Sequence, residues 1–190
     1  MRSTIRSEVL ALEPCDELEA AHIADVCGWI DSGVELCRLQ KPATPPKHLV
    51  SYFVVVDGDH VLLVDHKNAQ LWLPTGGHVE PGEHPWDTVI REAKEELQMD
   101  ATPLFDRPLF LTVTSTVGLT VGHIDVSLWY VLKGDRRLPI HFDEQEFNAA
   151  TWFHVSGVPL ERSDPHMSRF LQKLVSKFRG SRTSSAGLQR

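Results

Sequence analysis

Two kinds of apolar pattern run along the chain, short unbroken stretches and stripes at helical spacing, and together they predict most of its elements. VSYFVVV, Val50 to Val56, is apolar on both faces and predicts a strand covered on both sides, in a sheet that begins at His48. Asp57-Gly58 predicts a tight hairpin, from which HVLLVDH returns antiparallel between His60 and His66. Leu71-Trp72-Leu73 predicts a short strand leading into Pro74-Thr75-Gly76-Gly77. Two more strands are predicted over Pro108 to Thr116 and Gly122 to Leu132. In the second, His123, Asp125 and Ser127 share one face and Ile124, Val126, Leu128 and Tyr130 the other. Ala149 to Val155 makes the last strand.

Helical spacing appears three times. Asp16 and Glu19 have the capping-box form, Ile23, Val26, Cys27 and Ile30 follow on one face, and Ser32-Gly33 marks a stop. In a second helix, Trp86, Val89, Ile90, Ala93 and Leu97 span about +60° to about +160° when Glu92 is taken as zero. The third opens at Asp164-Pro165, carries Met167, Phe170, Leu171, Leu174, Val175 and Phe178 on one stripe, and is predicted to end at Gly180. The chain therefore divides into three. Residues 1–46 form a helical extension closed by the stiff linker Lys41 to Pro46, residues 47–178 an α/β domain, and residues 179–190 a polar tail expected to be disordered. The extension's helix is expected to lie on the domain or on a partner chain, which leaves a homodimer open.

Composition narrows the partners. The 190 residues are 42% hydrophobic and 24% charged, as in an ordinary soluble domain. A net charge of −7 argues against long nucleic acid and anionic membrane as partners. A small anionic ligand would need local arginines or a metal ion. Cys15, Cys27 and Cys37 are odd in number and contain no Cys-x-x-Cys pair, so neither a disulfide framework nor a zinc knuckle is expected. No apolar run is long enough for a membrane helix or a secretion signal, and the cytoplasm follows by elimination.

The candidate chemistry sits on the second helix. Glu92, Glu95 and Glu96 share one side of it at the spacing where side chains meet. Like charges there repel by a few tenths of a kcal/mol unless a hard divalent cation draws the carboxylates together. A solvated acidic face has the same spacing. Beyond the carboxylates, Gly77, Glu83, Arg91, Glu92, Glu95 and Glu96 follow the signature of the Nudix hydrolases: Gly, five residues, Glu, seven residues, Arg-Glu, an aliphatic, any residue, Glu-Glu. The sequence resembles that family over the whole segment from Gly77 to Met99.

The resemblance implies an α/β fold, a three-layer α/β/α sandwich around a mixed sheet. It further implies attack of water on a diphosphate linkage with Mg²⁺ or Mn²⁺. Glu92, Glu95 and Glu96 would be the metal ligands, with the Gly77 carbonyl as a fourth, and Glu83 and Arg91 a structural ion pair. The general base is left open between Glu95 and the acids of the downstream loop, Glu144 and Glu146. Trp72, His123 and Asp125 are the candidate substrate contacts. His78 and His84 flank the loop, but nothing near them in sequence completes a zinc set, and they read as ordinary polar residues.

Ala93 is smaller than the usual aliphatic, and Gln98 stands where the family has glycine. Gln98 is thus expected either to take a left-handed backbone under strain or to let the helix run toward Asp100. Motifs of ADP-ribose-, NADH- and coenzyme A-cleaving relatives are missing, which leaves a nucleoside triphosphate or another nucleoside diphosphate derivative as the expected substrate. Two alternatives share the fold: a non-catalytic nucleotide-sensing module, and an isopentenyl diphosphate isomerase-like enzyme.

Overall fold

A computed structural model describes residues 1–41, 44–115 and 122–186, with side chains as far as Gly180. Helices α1 (Arg2–Leu10) and α2 (Glu17–Asp31) precede the strands β1 (Lys47–Asp57), β2 (His60–His66), β3 (Leu71–Leu73) and β4 (Thr75–His78). Helix α3 (Pro85–Leu97) follows, then β5 (Phe110–Ser115), β6 (Ile124–Lys133), β7 (Phe147–His154) and α4 (Met167–Ala186). The seven strands form one mixed sheet in the order β3-β2-β1-β6-β5, with β1 and β6 parallel at its centre. β1 forks: Val50 to Phe53 pair with β4, whereas Val55 to Asp57 pair with β2. β7 adds to β2.

The doubly apolar pattern of β1 is used on both faces, as a covered strand requires. Leu49, Phe53 and Val55 join one core cluster with Val89, Ala93 and Leu97 of α3. Val54 and Val56 join the other with Met167, Phe170, Leu171 and Leu174 of α4. Trp129 stacks on Phe170 at 5.0 Å between centroids, and its indole N–H donates to Thr112 at 3.0 Å. The result is the three-layer α/β/α sandwich.

The N-terminal extension belongs to that core. Ile5 and Val9 of α1 and Val26, Cys27 and Ile30 of α2 are buried in the same cluster as α3. α2 also covers the outer strand β5, whose outward N–H groups would otherwise be open for pairing. The Glu19 carboxylate accepts from Leu111 N–H at 3.3 Å, and His22 Nδ1 accepts from Val113 N–H at 3.4 Å. Glu19 is fully buried, and Lys173 of α4 reaches it at 2.7 Å.

Four sequence expectations change. Pro74 to Gly77 carry no predicted element, yet Thr75–His78 is strand β4, paired antiparallel with β1. Gly76 permits this, because a Cβ there would overlap the Ser51 carbonyl. Ile90, at the edge of the apolar stripe, is 46% exposed, while the buried face shifts toward Thr88 and Glu96. α1, carried by only two buried apolar residues, was not anticipated. Gly180 does not end α4, which continues to Ala186. A lone glycine inside a helix costs only about 1 kcal/mol relative to alanine, and no proline follows it. Of the tail, residues 187–190 lie outside the described residues, as do Thr116 at the end of the β5 prediction and the Ala43-centred part of the linker.

Candidate active site

Helix α3 is started by its own loop. His84 is the N-cap: its ring nitrogen accepts from Trp86 N–H at 3.2 Å, while Asp87 accepts from His84 N–H at 3.2 Å. At the other end Gln98 adopts φ 52° and ψ 29°, the left-handed cap that glycine takes without strain. Of the two expectations for Gln98, the strained cap is the observed one.

This helix presents Glu92 and Glu96 inward and Glu95 outward. Glu96 is 7% exposed, and its carboxylate accepts from Gly76 N–H at 2.9 Å. Burial first, and the nearby Glu92 second, push its pKa up to about 9. Glu92 is raised as well, by burial, against the pull of Arg91. Arg91 donates to Glu92 at 2.6 Å and to Glu83 at 3.0 and 3.2 Å. Burial works against ionisation of Glu83, but Arg91 and Thr88 prevail and hold it below the usual range. The loop and helix are thereby tied together by a partly buried ion pair. Glu95 is 62% exposed on its side chain and lies 3.5 Å from Arg91.

Gly77 has a steric reason to be glycine. A Cβ on it would fall on the Glu92 carboxylate, so the backbone of β4 and the carboxylates of α3 meet only because that atom is missing. Beside them lies a cavity of about 160 Å³ lined by Glu96, Gly76, Gly77, His78, Asp125, Tyr52 and His66, among others.

The downstream acidic loop is docked on the same helix. Asp143 N–H donates to the Glu96 carbonyl at 2.8 Å, and Lys67 N–H donates to the Glu146 carbonyl at 3.0 Å. The charge of Glu146 acts on both Glu92 and Glu96. Glu144 lines a separate, open depression with Glu95 and Gln98.

The candidate substrate contacts divide. Asp125 lines the cavity with Glu96. Trp72 packs its ring edge-on against Phe153 at 5.0 Å, and its carbonyl accepts from Ser163. His123 lies 3.4 Å from Asp125 in a cluster that also contains His48 and His78. That cluster corrects the expectation that nothing completes a set around His78; the missing partners come from β1 and β6, far away in sequence. Burial first, then Arg38, lowers the His78 pKa to about 3. His84, by contrast, uses Nδ1 in its cap, and its Nε2 lies 3.3 Å from Glu8 of α1.

The sequence profile of the NUDIX domain matches residues 46–174, and the chain belongs to the Nudix family. A comparison with curated protein sequences found no match. Similar solved structures include a NUDIX-family hydrolase from Clostridium perfringens, at 23% identity and TM-score 0.52, covering 67% of this chain and 95% of that one. The E. coli dihydroneopterin triphosphate pyrophosphohydrolase aligns at 17% identity and TM-score 0.51, over 65% and 94% of the two chains. A C. elegans Ap4A hydrolase aligns at 20% and 0.52, over 69% and 98%. At these identities the likeness is one of fold.

Proposed function

We propose that the protein is a Nudix pyrophosphohydrolase that cleaves a diphosphate linkage in a nucleoside diphosphate derivative, a nucleoside triphosphate being the favoured substrate, with Mg²⁺ or Mn²⁺. The observation that carries the reading is the convergence of Glu92 and Glu96, one partly and one fully withdrawn from solvent, against Gly76 and Gly77. Both pKa values are raised, so the pair lacks a positive partner sufficient to hold it ionised. A divalent cation fits that deficit. When bound, it would neutralise the diphosphate and make water more acidic.

Glu92, Glu95, Glu96 and the Gly77 carbonyl are the groups that would hold it. Arg91 and Glu83 fix the helix against the loop and keep Glu92 turned inward. Glu146 is the favoured general base: it is exposed, close enough to act on Glu92 and Glu96, and its loop is pinned to α3. Glu95 and Glu144 remain its competitors. Retention of all the signature glutamates favours an enzyme over a nucleotide-sensing module. An isomerase-like activity needing a reactive thiol is disfavoured, since burial pushes the Cys15 thiol to about 12 and the Cys37 thiol to about 11.

Among the described residues no helix is long and apolar enough to cross a membrane, and the free thiols of Cys15, Cys27 and Cys37 suit the reducing cytoplasm proposed for it. The test is a screen of nucleoside triphosphates, dinucleoside polyphosphates and nucleotide sugars with Mg²⁺, reading phosphate released after phosphatase coupling. Turnover of one class, lost in Glu96→Gln, is the expected result. No turnover of any of them by a folded, Mg²⁺-binding protein would leave the sensing module as the better reading.

A further inference from the structure

Strand pairing gathers four chemistry-bearing side chains that the sequence keeps apart. His48 of β1 lies opposite Asp125 of β6, and His78 of β4 opposite Val50, two residues along the same face of β1. His123 immediately precedes β6. The Nε2 atoms of His48, His123 and His78 lie 3.3, 3.4 and 3.9 Å from Asp125 Oδ1. The ligand atoms of the four residues all fall within 4.8 Å of one another.

His48 supplies an independent sign that something is meant to sit there. It is fully buried, and its Nδ1 is 2.9 Å from the Pro45 carbonyl. A carbonyl only accepts, so Nδ1 carries the proton and Nε2 is left with its lone pair free to bind a ligand. That Nε2 points into the cluster with no hydrogen-bond partner, and neither has Asp125 Oδ1. A ring nitrogen oriented by a carbonyl behind it is the arrangement that metal-ligating histidines use.

We propose that His48, His78, His123 and Asp125 form a second metal site, for a borderline divalent transition ion such as Zn²⁺ or Co²⁺, separate from the glutamates of α3. Metal–nitrogen bonds of about 2.0–2.1 Å in a tetrahedron put neighbouring ligand atoms about 3.3 Å apart, close to the spacing around Asp125. Three imidazoles select zinc-like ions over Mg²⁺, whereas the all-oxygen set on α3 has the opposite preference. Four protein ligands complete the tetrahedron, which makes the site a closed, structural one. It clips β4 to β1 and β6, and since His78 follows Gly77 directly, it holds the backbone that faces Glu92. Arg38, half-buried at the rim, lies 3.1 Å from His78 Nε2 and must release it when the ion binds.

The test is a Co²⁺ titration of the metal-stripped full chain in excess Mg²⁺, followed by visible absorption, with no activity assay involved. The same titration is run on Asp125→Asn, on His78→Gln and on the Glu92→Gln/Glu96→Gln double variant. Wild type and the double variant should take up about one Co²⁺ with the intense bands of a four-coordinate ion. Asp125→Asn and His78→Gln should bind at least about a hundredfold more weakly, with metal-free melting close to wild type. His78 and Asp125 are only partly buried, and should one variant fail to fold the other still gives the answer. Absence of the bands in wild type, their equal strength in all four proteins, or their loss in the double variant alone would overturn the proposal.

Discussion

Glu96→Gln exchanges a buried carboxyl for a neutral group of nearly the same volume. The wild-type carboxyl has its pKa pushed to about 9, by burial first, so in the metal-free protein at pH 7 it is already protonated. Glutamine can keep the acceptor role toward Gly76 N–H, now filled at 2.9 Å. The metal-free variant should therefore match wild type within about 1 kcal/mol below pH 4.5, where the carboxyl is neutral in both states, and be the more stable of the two by about 3 kcal/mol at pH 7. The folded pKa lies above the usual 4.5, so the folded state holds a proton that the unfolded chain has released. Wild-type stability accordingly falls as pH rises from about 4.5 to about 9, and the variant loses that part of the slope. Binding a cation needs the ionised form. Two units below the pKa, deprotonation costs about 3 kcal/mol, so Mg²⁺ affinity should climb up to about tenfold per unit between pH 6.5 and 8.5. Calorimetric titrations in two buffers of different ionisation heat would give affinity and proton release together. Close to one proton per Mg²⁺ is expected at pH 7, with hydrolysis at least about a hundredfold slower in the variant. A Mg²⁺ affinity independent of pH, without proton release, would refute the reasoning.

Gln98→Gly should relieve the left-handed strain at φ 52° and raise the denaturation midpoint by the equivalent of about 1 kcal/mol. A lower midpoint would contradict the observed cap. Gly77→Ala puts a methyl group where the Glu92 carboxylate lies, and should weaken Mg²⁺ binding and hydrolysis at least about tenfold without unfolding the core, as calorimetry and circular dichroism would read. Lys173→Met leaves Glu19 buried without its cation and should cost about 3–5 kcal/mol in urea melts, while Glu19→Gln in the same chain should return a good part of it.

What the sequence revealed and what it hid follow from the range of the interactions. Elements that signal locally were legible: the Asp57-Gly58 hairpin, the Asp16 cap with its bond to Glu19 N–H, and the stripe from Met167 to Phe178. The signature from Gly77 to Glu96 was legible as spacing, and the structure supplies the reason for its first residue in the contact with Glu92. Register is not local. Whether β1 meets β6 in parallel, with His48 opposite Asp125, depends on a pairing across some 75 residues that no periodicity encodes. β4 was hidden for a different reason, because its Gly76 and Gly77 carry no side-chain pattern at all. Trp72 shows the same limit: its position ahead of the glycines carries no sign of its edge-on contact with Phe153.

The central claim is that Glu92, Glu95 and Glu96 are one divalent-cation site and not a solvated acidic face. Thermal melts in Mg²⁺ and in a sodium salt of matched ionic strength address it directly. Mg²⁺ binds only the folded arrangement, so at a hundred times its dissociation constant it should add about 2.7 kcal/mol, a rise of about 5–10 °C for a chain of this size. Glu95→Gln should reduce that gain and, with one repulsive charge removed, be no less stable than wild type without metal. An equal response of the wild-type protein to the two salts would contradict the account, because screening alone cannot tell Mg²⁺ from sodium once ionic strength is matched.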